Sequence, residues 1–406
     1  MSILNILFWA SFTAVAATYA VYPACLLVLS RFRQRTQPQP LEPSTTLIIS
    51  AFNEADVIRE KLENSLALDY PADRLEVMVI SDASQDGTDD IVRSFSDSGV
   101  RLCRKEQRRG KSAGLSRFVP QASGEILVFS DANSIYEPDA IRRLVRHFND
   151  DGVGFVVGHQ RYYDDASISS TSESLYWRYE TAIKVLESRV GSVVCGDGAI
   201  MAIRSELFEP LSADDINDLA LPLKIVIRGY RGVFDPEAIC YEHTAADMAA
   251  EFRRRVRIVN RSFRAVYRNW KALSPIHVGW FAVQLFLHKV VRWFVSFLLA
   301  ILLAANAALV ASGGGWFLQV FLGLQVVCFS LAALYLVRPL REFKPVSICF
   351  YFCVANLAAG VGIFTCLAGK RFATWSPERA LHREPQSASS AGGQRAASGG
   401  ILQESV

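Results

Sequence analysis

Three long stretches of the chain carry no charged side chain. They are residues 1–30, 293–337 and 345–369. About 20 predominantly apolar residues in a helix cross the roughly 30 Å hydrocarbon core of a bilayer. Each stretch is long enough to do so, and the three glycines at 313–315 divide the 45-residue stretch into two. The sequence therefore predicts one membrane span before, and three membrane spans after, a charged globular region.

The arginines that follow the first stretch indicate its orientation. Arg31, Arg33 and Arg35 open a basic, proline-rich linker over residues 31–43. Because Lys and Arg near span ends favour the cytoplasmic side, we expect a multi-pass protein of the cell inner (plasma) membrane with a cytoplasmic globule. A cleaved signal peptide is the alternative for the first stretch, but that stretch lacks a basic n-region.

The end of the chain conflicts with this span count. The basic loop 338–344 favours the cytoplasmic side, so a further span would place the residues after Gly369 outside. Those residues begin with Lys370 and Arg371, which favour the inside. Either the last span is re-entrant or the tail departs from the rule. The tail, residues 370–406, is rich in Ser, Ala, Gly and Gln and is predicted to be largely disordered.

Polar residues follow three apolar runs of the globule. The runs lie at 45–50, 77–80 and 125–129, and they predict buried parallel strands. In open α/β sheets, ligands bind at the carboxyl ends of the strands. Asp131 and Asn133 follow the third run two residues apart, so their oxygens could share a divalent cation, magnesium or manganese. On its own this spacing is a weak signal, since many strands end in an acidic turn.

A basic turn between the second and third runs adds an anion site. Residues 108–114, RRGKSAG, place Lys111 at the start of a predicted helix. The N-terminus of a helix attracts phosphate, and a lysine strengthens that attraction. The polar motifs after the three apolar runs and this basic turn make four candidate binding motifs in chain order. Together they predict an α/β domain that binds a phosphorylated ligand.

The motifs of this region together resemble one enzyme family. They are ISAFNE, VISDAS with QDGT, RRGKSAGLS, ILVFSDAN, GDGAIMAIRSELF, INDLALPL and IRGYRGVFDPEA. From about residue 44 to residue 245 the chain resembles the inverting family-two glycosyltransferases of the GT-A fold. The resemblance implies a half-Rossmann-like mixed sheet domain, inserted between transmembrane helices, that binds a nucleoside-diphosphate sugar, a UDP-sugar in our reading. The nucleotide-sugar contacts it implies are Ser50, Phe52, Glu54, Asp82, Lys111 and Asp131, with Asp131 and Asn133 as metal ligands.

Inversion by direct displacement requires a carboxylate that takes the proton of the acceptor hydroxyl. In the family this base is the second acid of an acidic pair, followed three residues later by an apolar residue. Asp218, followed by Leu221, fits that register, although Asn217 replaces the first acid. Asp215 is the alternative, because Asp214 and Asp215 form a literal acidic pair. Acids that begin a helix also act as N-caps, which suits Asp214 best.

Acceptor contacts are implied further along the chain. Asp197, in the loop GDGA, and Arg204 after it match the acceptor side of the family. The polymer-making branch carries Q-x-x-R-W, which holds the acceptor sugar. Here the register gives RRVRI, so Arg257 keeps the arginine while the glutamine and tryptophan are missing. This departure argues against processive polymerisation. His243 follows a predicted strand and is a candidate further metal ligand, although a lone histidine is more often structural.

Residues 251–271 predict an amphipathic helix. Apolar residues recur at spacings of three and four, and arginines recur on another face. We expect residues 246–290 to form interfacial helices whose basic face lies on the anionic membrane surface. A helix packed on the globule is the alternative.

These features predict a membrane-bound glycosyltransferase. It would transfer sugar to a membrane-held acceptor, a lipid-linked glycan or a surface polysaccharide, beside export or polymerisation partners and with no nucleic acid. The nearest alternative is a processive polysaccharide synthase of the same fold. A nucleotidyltransferase would lack the acceptor region after Gly196. A transporter would need polar residues inside its spans, whereas, hydroxyl side chains aside, the three C-terminal spans offer only the amides Asn306, Gln319, Gln325 and Asn356.

Overall fold

The computed structural model describes residues 2–33, 38–163, 168–242 and 248–374, with the backbone alone for residues 168–175. His243, part of the linker and the tail from residue 375 lie outside the described residues.

One mixed sheet of eight strands forms the centre of the globule. Its strands are β1 (Thr45–Ala51), β2 (Leu75–Ser81), β3 (Val100–Arg104), β4 (Ile126–Asp131), β5 (Ile135–Tyr136), β6 (Val153–Tyr162), β7 (Met201–Arg204) and β8 (Arg231–Glu242). Their order is β3-β2-β1-β4-β7-β6-β8-β5. The first four strands in that order are parallel, whereas β7 runs antiparallel to both β4 and β6. The predicted α/β mixed sheet is confirmed.

Helices cover the sheet and extend beyond it. They are α1 (Ile3–Ala16), α2 (Tyr22–Ser30), α3 (Ala55–Leu66), α4 (Thr88–Arg93), α5 (Lys111–Phe118), α6 (Ala140–Val145), α7 (Ile168–Val190), α8 (Asn217–Ile227), α9 (Met248–Arg268), α10 (Pro275–Val278), α11 (Phe281–Leu285), α12 (Val291–Ala311), α13 (Trp316–Leu334) and α14 (Lys344–Leu367). Single π-helical turns join α1 to α2 and α11 to α12.

Helices on both faces explain why the central strands are apolar throughout. Successive side chains of a strand point to opposite faces. Leu47 and Ile49 pack with α3 and α6, whereas Ile48 between them packs with α5 and α8. All seven residues of β1 are therefore buried. A parallel sheet covered on both faces favours such continuous apolar runs over alternating ones.

Four helices of the described chain are long and apolar enough to cross a membrane. They are Ile3–Ser30, Phe281–Ala311, Trp316–Leu334 and Lys344–Leu367. Gly313, with a φ of +86°, ends one of these helices before the next begins, as the glycine triplet predicts. The second helix begins at Phe281, so the predicted interfacial region 246–290 is shorter than expected.

Helix α9 packs on the globule and on α14. Arg261 donates a hydrogen bond to the backbone carbonyl of Asp215, and Arg268 pairs with Asp214 at 2.7 Å. Arg264 donates to the carbonyl of Lys370 at 2.9 Å. Protein acceptors thus occupy the guanidinium groups of these three arginines, which favours the alternative of a helix packed on the globule.

The chain after α14 returns to the globule. Asn260 of α9 donates to the Lys370 carbonyl at 3.1 Å. The Ala373 carbonyl lies so close to Gly110 that a β-carbon there would be 1.9 Å from it. The start of the tail thus lies beside the basic turn of residues 108–114, on the same side of the molecule as the globule, which favours a re-entrant last helix over a spanning one.

Candidate active site

The carboxyl ends of β1, β2 and β4 meet at one edge, as predicted. Ser50 on β1 lies opposite Asp131 on β4 and Ile80 on β2. Directly after β1 and β2, Asn53 and Ala83 adopt positive φ values of 53° and 61°. Such angles are uncommon away from glycine and occur in tight turns at functional sites. The edge therefore ends in two sharply turned loops.

Asp82 organises the basic turn. One carboxylate oxygen accepts from Lys105 Nζ at 2.5 Å and from the Arg109 N–H at 2.9 Å. The other oxygen accepts from the Gly110 N–H at 2.8 Å. Asp82 and Lys105 are both buried, so their ion pair is shielded from solvent. In this structure Asp82 holds the turn that presents Lys111.

The loops after β1 and β2 hold each other. Asn53 Oδ1 accepts from the Gln85 N–H at 2.9 Å, and Asp86 accepts from the Ala55 N–H at 2.9 Å. Glu54 is buried at the start of α3. Sequence reasoning missed Asn53 and Asp86, although each follows a strand within a polar motif.

Phe52 meets a second residue that was missed. The Arg108 guanidinium lies over its ring at 3.7 Å from the centroid. Cation–π contacts of this kind fix both side chains. The basic turn is therefore tied to β1 as well as to Asp82.

Lys111, Asp131 and Asp218 converge around Gly198. Lys111 Nζ lies 2.5 Å from Asp131 Oδ1 and donates to the Gly198 carbonyl at 3.2 Å. A β-carbon built on Gly198 would lie 3.4 Å from Lys111 Nζ, 3.9 Å from Asp131 Oδ2 and 4.0 Å from Asp218 Oδ2. The absence of a side chain at residue 198 therefore leaves a small space bounded by one ammonium and two carboxylates.

A buried network supports the loop after β4. Asn133 is half-buried there. Its neighbour Ser134 donates to Glu242, and Gln160 donates to the other Glu242 oxygen at 2.5 Å. Lys61 Nζ donates to the Ser134 carbonyl at 2.5 Å. Burial, followed by the charge of Asp131, raises the pKa of Glu242 above its usual value. Sequence reasoning missed Glu242 and Lys61, which lie far apart in the chain.

Asp218 has the electrostatic setting of a general base. It lies in the first turn of α8. Burial, and next the carboxylate of Asp197, raise the pKa of Asp218 to about 6, whereas Lys111 and Arg261 act to lower it. A carboxylate with such a pKa accepts a proton more readily than an exposed aspartate does.

Asp215 has a different setting. Its carboxylate pairs with Arg268 and accepts from the Ser212 N–H at 2.9 Å. Its backbone carbonyl accepts from Ser112 Oγ at 2.7 Å. The side chain is buried among these partners and is directed toward α9. The geometry therefore favours Asp218 over Asp215 as the base.

The residues that were predicted to contact the acceptor do not all lie in one place. Asp197 lines a cavity beside Asp218 and lies 3.6 Å from Lys184 Nζ. Arg257 lies on α9, but the arginines of that helix that line this cavity are Arg254 and Arg255. Each of these two is one helical turn or less from Arg257.

The prediction for Arg204 is corrected by the structure. Arg204 lies opposite Ile126, at the amino end of β4 and away from the site. Its guanidinium donates to three backbone carbonyls, of Phe148, Asp150 and Val153, at 2.8–3.0 Å. These bonds hold loops together at the far edge of the sheet.

Comparison with known proteins agrees with this geometry. Residues 46–209 match the family model described as glycosyl transferase family 2. The poly-beta-1,6-N-acetyl-D-glucosamine synthase of Staphylococcus aureus is 25% identical over 232 residues, 55% of this chain and 56% of the synthase. The probable glycosyltransferase YdaM of Bacillus subtilis is 31% identical over 230 residues, 53% of this chain and 54% of that protein. The chain spans about half the length of the curated relatives it matches.

A solved structure extends the similarity through the apolar helices. The mannosyltransferase PcManGT from Pyrobaculum calidifontis, solved with GDP-Man and Mn²⁺, superposes with a TM-score of 0.68 at 24% identity. The match covers 91% of this chain and 100% of that one. With its apolar helices the protein is a membrane protein, and its globule has the GT-A fold. The globule carries a glycosyl transferase family 2 domain over residues 46–209.

Proposed function

We propose that the protein is an inverting glycosyltransferase that transfers a sugar from a UDP-sugar to a membrane-held acceptor. The convergence of Lys111, Asp131 and Asp218 around Gly198 carries this proposal. It brings a phosphate-binding cation, a metal-binding carboxylate and a base of raised pKa to one small space. The polysaccharide synthases among the similar proteins support a role in making cell-surface polysaccharide or glycolipid.

Each group has a separate task in binding the donor. Phe52, Glu54 and the backbone near Ser50 would contact the nucleoside, with Asp82 holding the turn beside it. Lys111, at the N-terminus of α5, would bind the diphosphate through its ammonium. A mannosyltransferase of similar fold was solved with GDP-Man, which supports a nucleotide-sugar as the donor.

The oxygen atoms near Asp131 suit a divalent cation. Mg²⁺ is commonly bound by one or two carboxylates together with substrate phosphates and water. Asp131 already attracts the Lys111 ammonium, and its side chain is 37% exposed. Asp131 and Asn133 would hold magnesium or manganese, as the Mn²⁺ of the similar mannosyltransferase also suggests. When bound, the cation would neutralise part of the charge of the diphosphate.

The transfer follows from this placement. The acceptor hydroxyl gives its proton to the Asp218 carboxylate while its oxygen forms a bond to the anomeric carbon of the donor. The bond from that carbon to the nucleoside diphosphate breaks, and the departing diphosphate keeps the electron pair near Lys111. One displacement without a covalent intermediate inverts the anomeric configuration.

A multi-pass arrangement in the inner membrane, with the globule cytoplasmic, suits this chemistry. Three arginines follow the first apolar helix, which favours the cytoplasmic side for the globule. Nucleotide-sugars, the proposed donors, are made in the cytoplasm. A processive polysaccharide synthase is the second candidate, which the similar poly-beta-1,6-N-acetyl-D-glucosamine synthase favours.

Membranes containing the protein, incubated with a panel of labelled nucleotide-sugars, test the proposal. We expect one UDP-sugar to label a product, EDTA to abolish the labelling, and magnesium or manganese to restore it. Label extracted into organic solvent would indicate a lipid-linked product, and a long water-soluble chain would indicate the processive candidate. Failure to transfer any sugar, or full transfer in EDTA, would contradict the transferase or the metal role, respectively.

A further inference from the structure

One residue of the loop between β4 and β5 is bonded through every polar group that it has. The Ser134 N–H donates to the carbonyl of Asp131 at 3.2 Å. The Ser134 carbonyl accepts from Lys61 Nζ at 2.5 Å, and the Ser134 hydroxyl donates to Glu242. Because Asn133 directly precedes Ser134, these bonds fix the backbone on the C-terminal side of this candidate metal ligand.

The two side chains that bond Ser134 come from buried elements on different sides of the loop. Lys61 lies on α3, is fully buried, and has its ammonium 3.9 Å from the centre of the Tyr136 ring. Glu242 is the last residue of β8, where its second carboxylate oxygen accepts from Gln160 at 2.5 Å. Taking an ammonium and a carboxylate out of water is costly unless their hydrogen bonds are made. The arrangement therefore specifies one position for Ser134.

Helix α3 also connects this loop to the other side of the site. Asn64, three residues after Lys61, exchanges two hydrogen bonds of 2.9 Å with the backbone of Tyr136. The Tyr136 hydroxyl donates to the Ala199 carbonyl at 2.9 Å. Ala199 follows Gly198, around which the candidate site groups converge. The same buried contacts therefore hold the loop after β4 and the loop that carries Gly198.

The held loop presents oxygen atoms that suit a divalent cation. The Asp131 side chain is 37% exposed, and Asn133 is half-buried two residues later. Ala132, between them, is buried in the hydrophobic core, so the loop cannot shift without disturbing that core. In metal sites, side chains behind the ligands orient them, and losing one such side chain typically costs about 10–100-fold in metal affinity.

We infer that Glu242 is a positioning residue for the divalent cation and that it acts through its hydrogen bond with Ser134. The inference rests on the proposed function, because it concerns the cation that Asp131 and Asn133 would hold there. Glu242 is itself buried and bonded to Ser134 and Gln160, so its role needs no contact with the cation. It keeps Asn133 where the side-chain oxygen of that residue shares a cation with Asp131.

Mn²⁺ binding to the purified full-length protein tests this role. Electron paramagnetic resonance measures free Mn²⁺ in the presence of UDP, and UDP without protein gives the background. Glu242→Gln and Glu242→Met both remove the charge at nearly constant size, but only glutamine can still bond the Ser134 hydroxyl. We expect Glu242→Gln to bind Mn²⁺ nearly as tightly as wild type and Glu242→Met to bind it at least about tenfold more weakly. Ser134→Ala removes the donor without changing any charge and should match Glu242→Met.

Glu63→Gln, exposed on α3, is the matched control and should bind Mn²⁺ like wild type. Wild-type affinity in Glu242→Met or in Ser134→Ala would overturn the inference. Equal weakening in Glu242→Gln and Glu242→Met would overturn it too, because the charge of Glu242 would then be its contribution. A loss of affinity that follows the melting temperature across the variants would make Glu242 a structural residue only. Sugar transfer by the same preparations reports separately on the proposed function, since wild type that binds Mn²⁺ without transferring sugar contradicts only the latter.

Discussion

Asp215 and Asp218 show how three residues of separation decide a chemical role. Arg268 neutralises the Asp215 carboxylate, and a backbone N–H bonds it. Asp218, three residues later in the first turn of α8, instead lies near a second carboxylate, Asp197, which helps to raise its pKa. The first environment stabilises a charge, and the second prepares a group to receive a proton. These settings are the reason why we propose Asp218, and not Asp215, as the base.

Replacing Asp218 by asparagine separates chemistry from binding. Asp218→Asn keeps the shape but cannot take a proton, so we expect sugar transfer to fall by at least about a hundredfold. Affinity for the nucleoside diphosphate should stay nearly constant, because the base contacts the acceptor. Transfer rates and calorimetric titration with UDP measure the two effects.

The same variant has a signature in its pH profile. Because only deprotonated Asp218 accepts a proton, wild-type transfer should decline as the pH falls through about 6, and the residual rate of Asp218→Asn should lack this step. Asp90→Asn is the control, since the Asp90 side chain is 83% exposed. Normal transfer by Asp218→Asn would move the base elsewhere.

Gly198 tests whether the three site groups must share an open space. In Gly198→Ala the added methyl group would meet Lys111, Asp131 and Asp218 at 3.4–4.0 Å, distances that the fold tolerates. It would, however, occupy space that the reacting groups need, and a displacement of about 1 Å can cost about a hundredfold in rate. We expect such a loss of transfer with an unchanged melting temperature.

Gly323→Ala provides the matched control for Gly198→Ala. A β-carbon at Gly323 in α13 would meet nothing within 4 Å. Both transfer and melting temperature should therefore equal those of wild type. Full activity of Gly198→Ala would show that the donor and acceptor meet elsewhere.

At the scale of elements, α9 links the catalytic domain to α14. Arg268 pairs with two buried carboxylates, Asp214 and Asp215, while Arg264 and Asn260 bond the chain end of α14. A basic amphipathic helix has the same sequence pattern whether lipid or protein carboxylates face its arginines. This is why the sequence pattern predicted a helix on the membrane surface, whereas in the structure α9 connects the sheet domain to α14.

Arg268→Met tests how much the ion pairs between α9 and the sheet domain stabilise the protein. The change removes the only ion-pair partner that the described residues give to the buried Asp215 carboxylate and one of the two partners of Asp214, which costs about 2–3 kcal/mol. We expect the free energy of unfolding to fall by that amount in detergent and in anionic liposomes alike. Lys271→Met, exposed in the turn that follows the same helix, should change it by less than about 0.5 kcal/mol. A loss confined to anionic liposomes would instead indicate lipid contact.

At the scale of the whole molecule, the first and the last apolar helices both end beside the globule. The first apolar helix ends before Arg31, and the last ends where Lys370 meets α9. Ser312, between the second and third helices, lies at the opposite ends of those helices. We expect a membrane-impermeant maleimide to label Arg33→Cys and Arg371→Cys from the cytoplasmic side, and Ser312→Cys from the other. The wild-type protein, with its native cysteines, gives the background, and labelling of Arg371→Cys from outside would contradict the re-entrant helix.

Local patterns predicted the part of the site that lies at strand ends. A run of apolar residues predicts a buried parallel strand. Asp82 or Asp131, which follows such a run, must then lie at the carboxyl end of that strand, where ligands bind. The same holds for Lys111 at its helix start. These features needed no information about distant contacts.

Contacts between distant segments were beyond such patterns. Arg204 follows the acceptor loop in sequence, yet β7 runs antiparallel to β4 and carries Arg204 to the opposite edge. Lys289 lies just before an apolar stretch, where a cation suggests only the start of a span. Its position beside Asp218 depends on the packing of α7, α8 and α12, which no single stretch encodes.

The buried junction of Tyr22, Glu187 and His288 constrains the order of assembly. Tyr22 and His288 both bond Glu187, and Arg292 pairs with Glu180 on the same helix. During synthesis Tyr22 emerges first, but its partners lie more than 160 residues later, at Glu187, and then at His288. The first apolar helix therefore enters the membrane long before its final neighbours have been synthesised. It can pack in its native position only after the ribosome has passed residue 292.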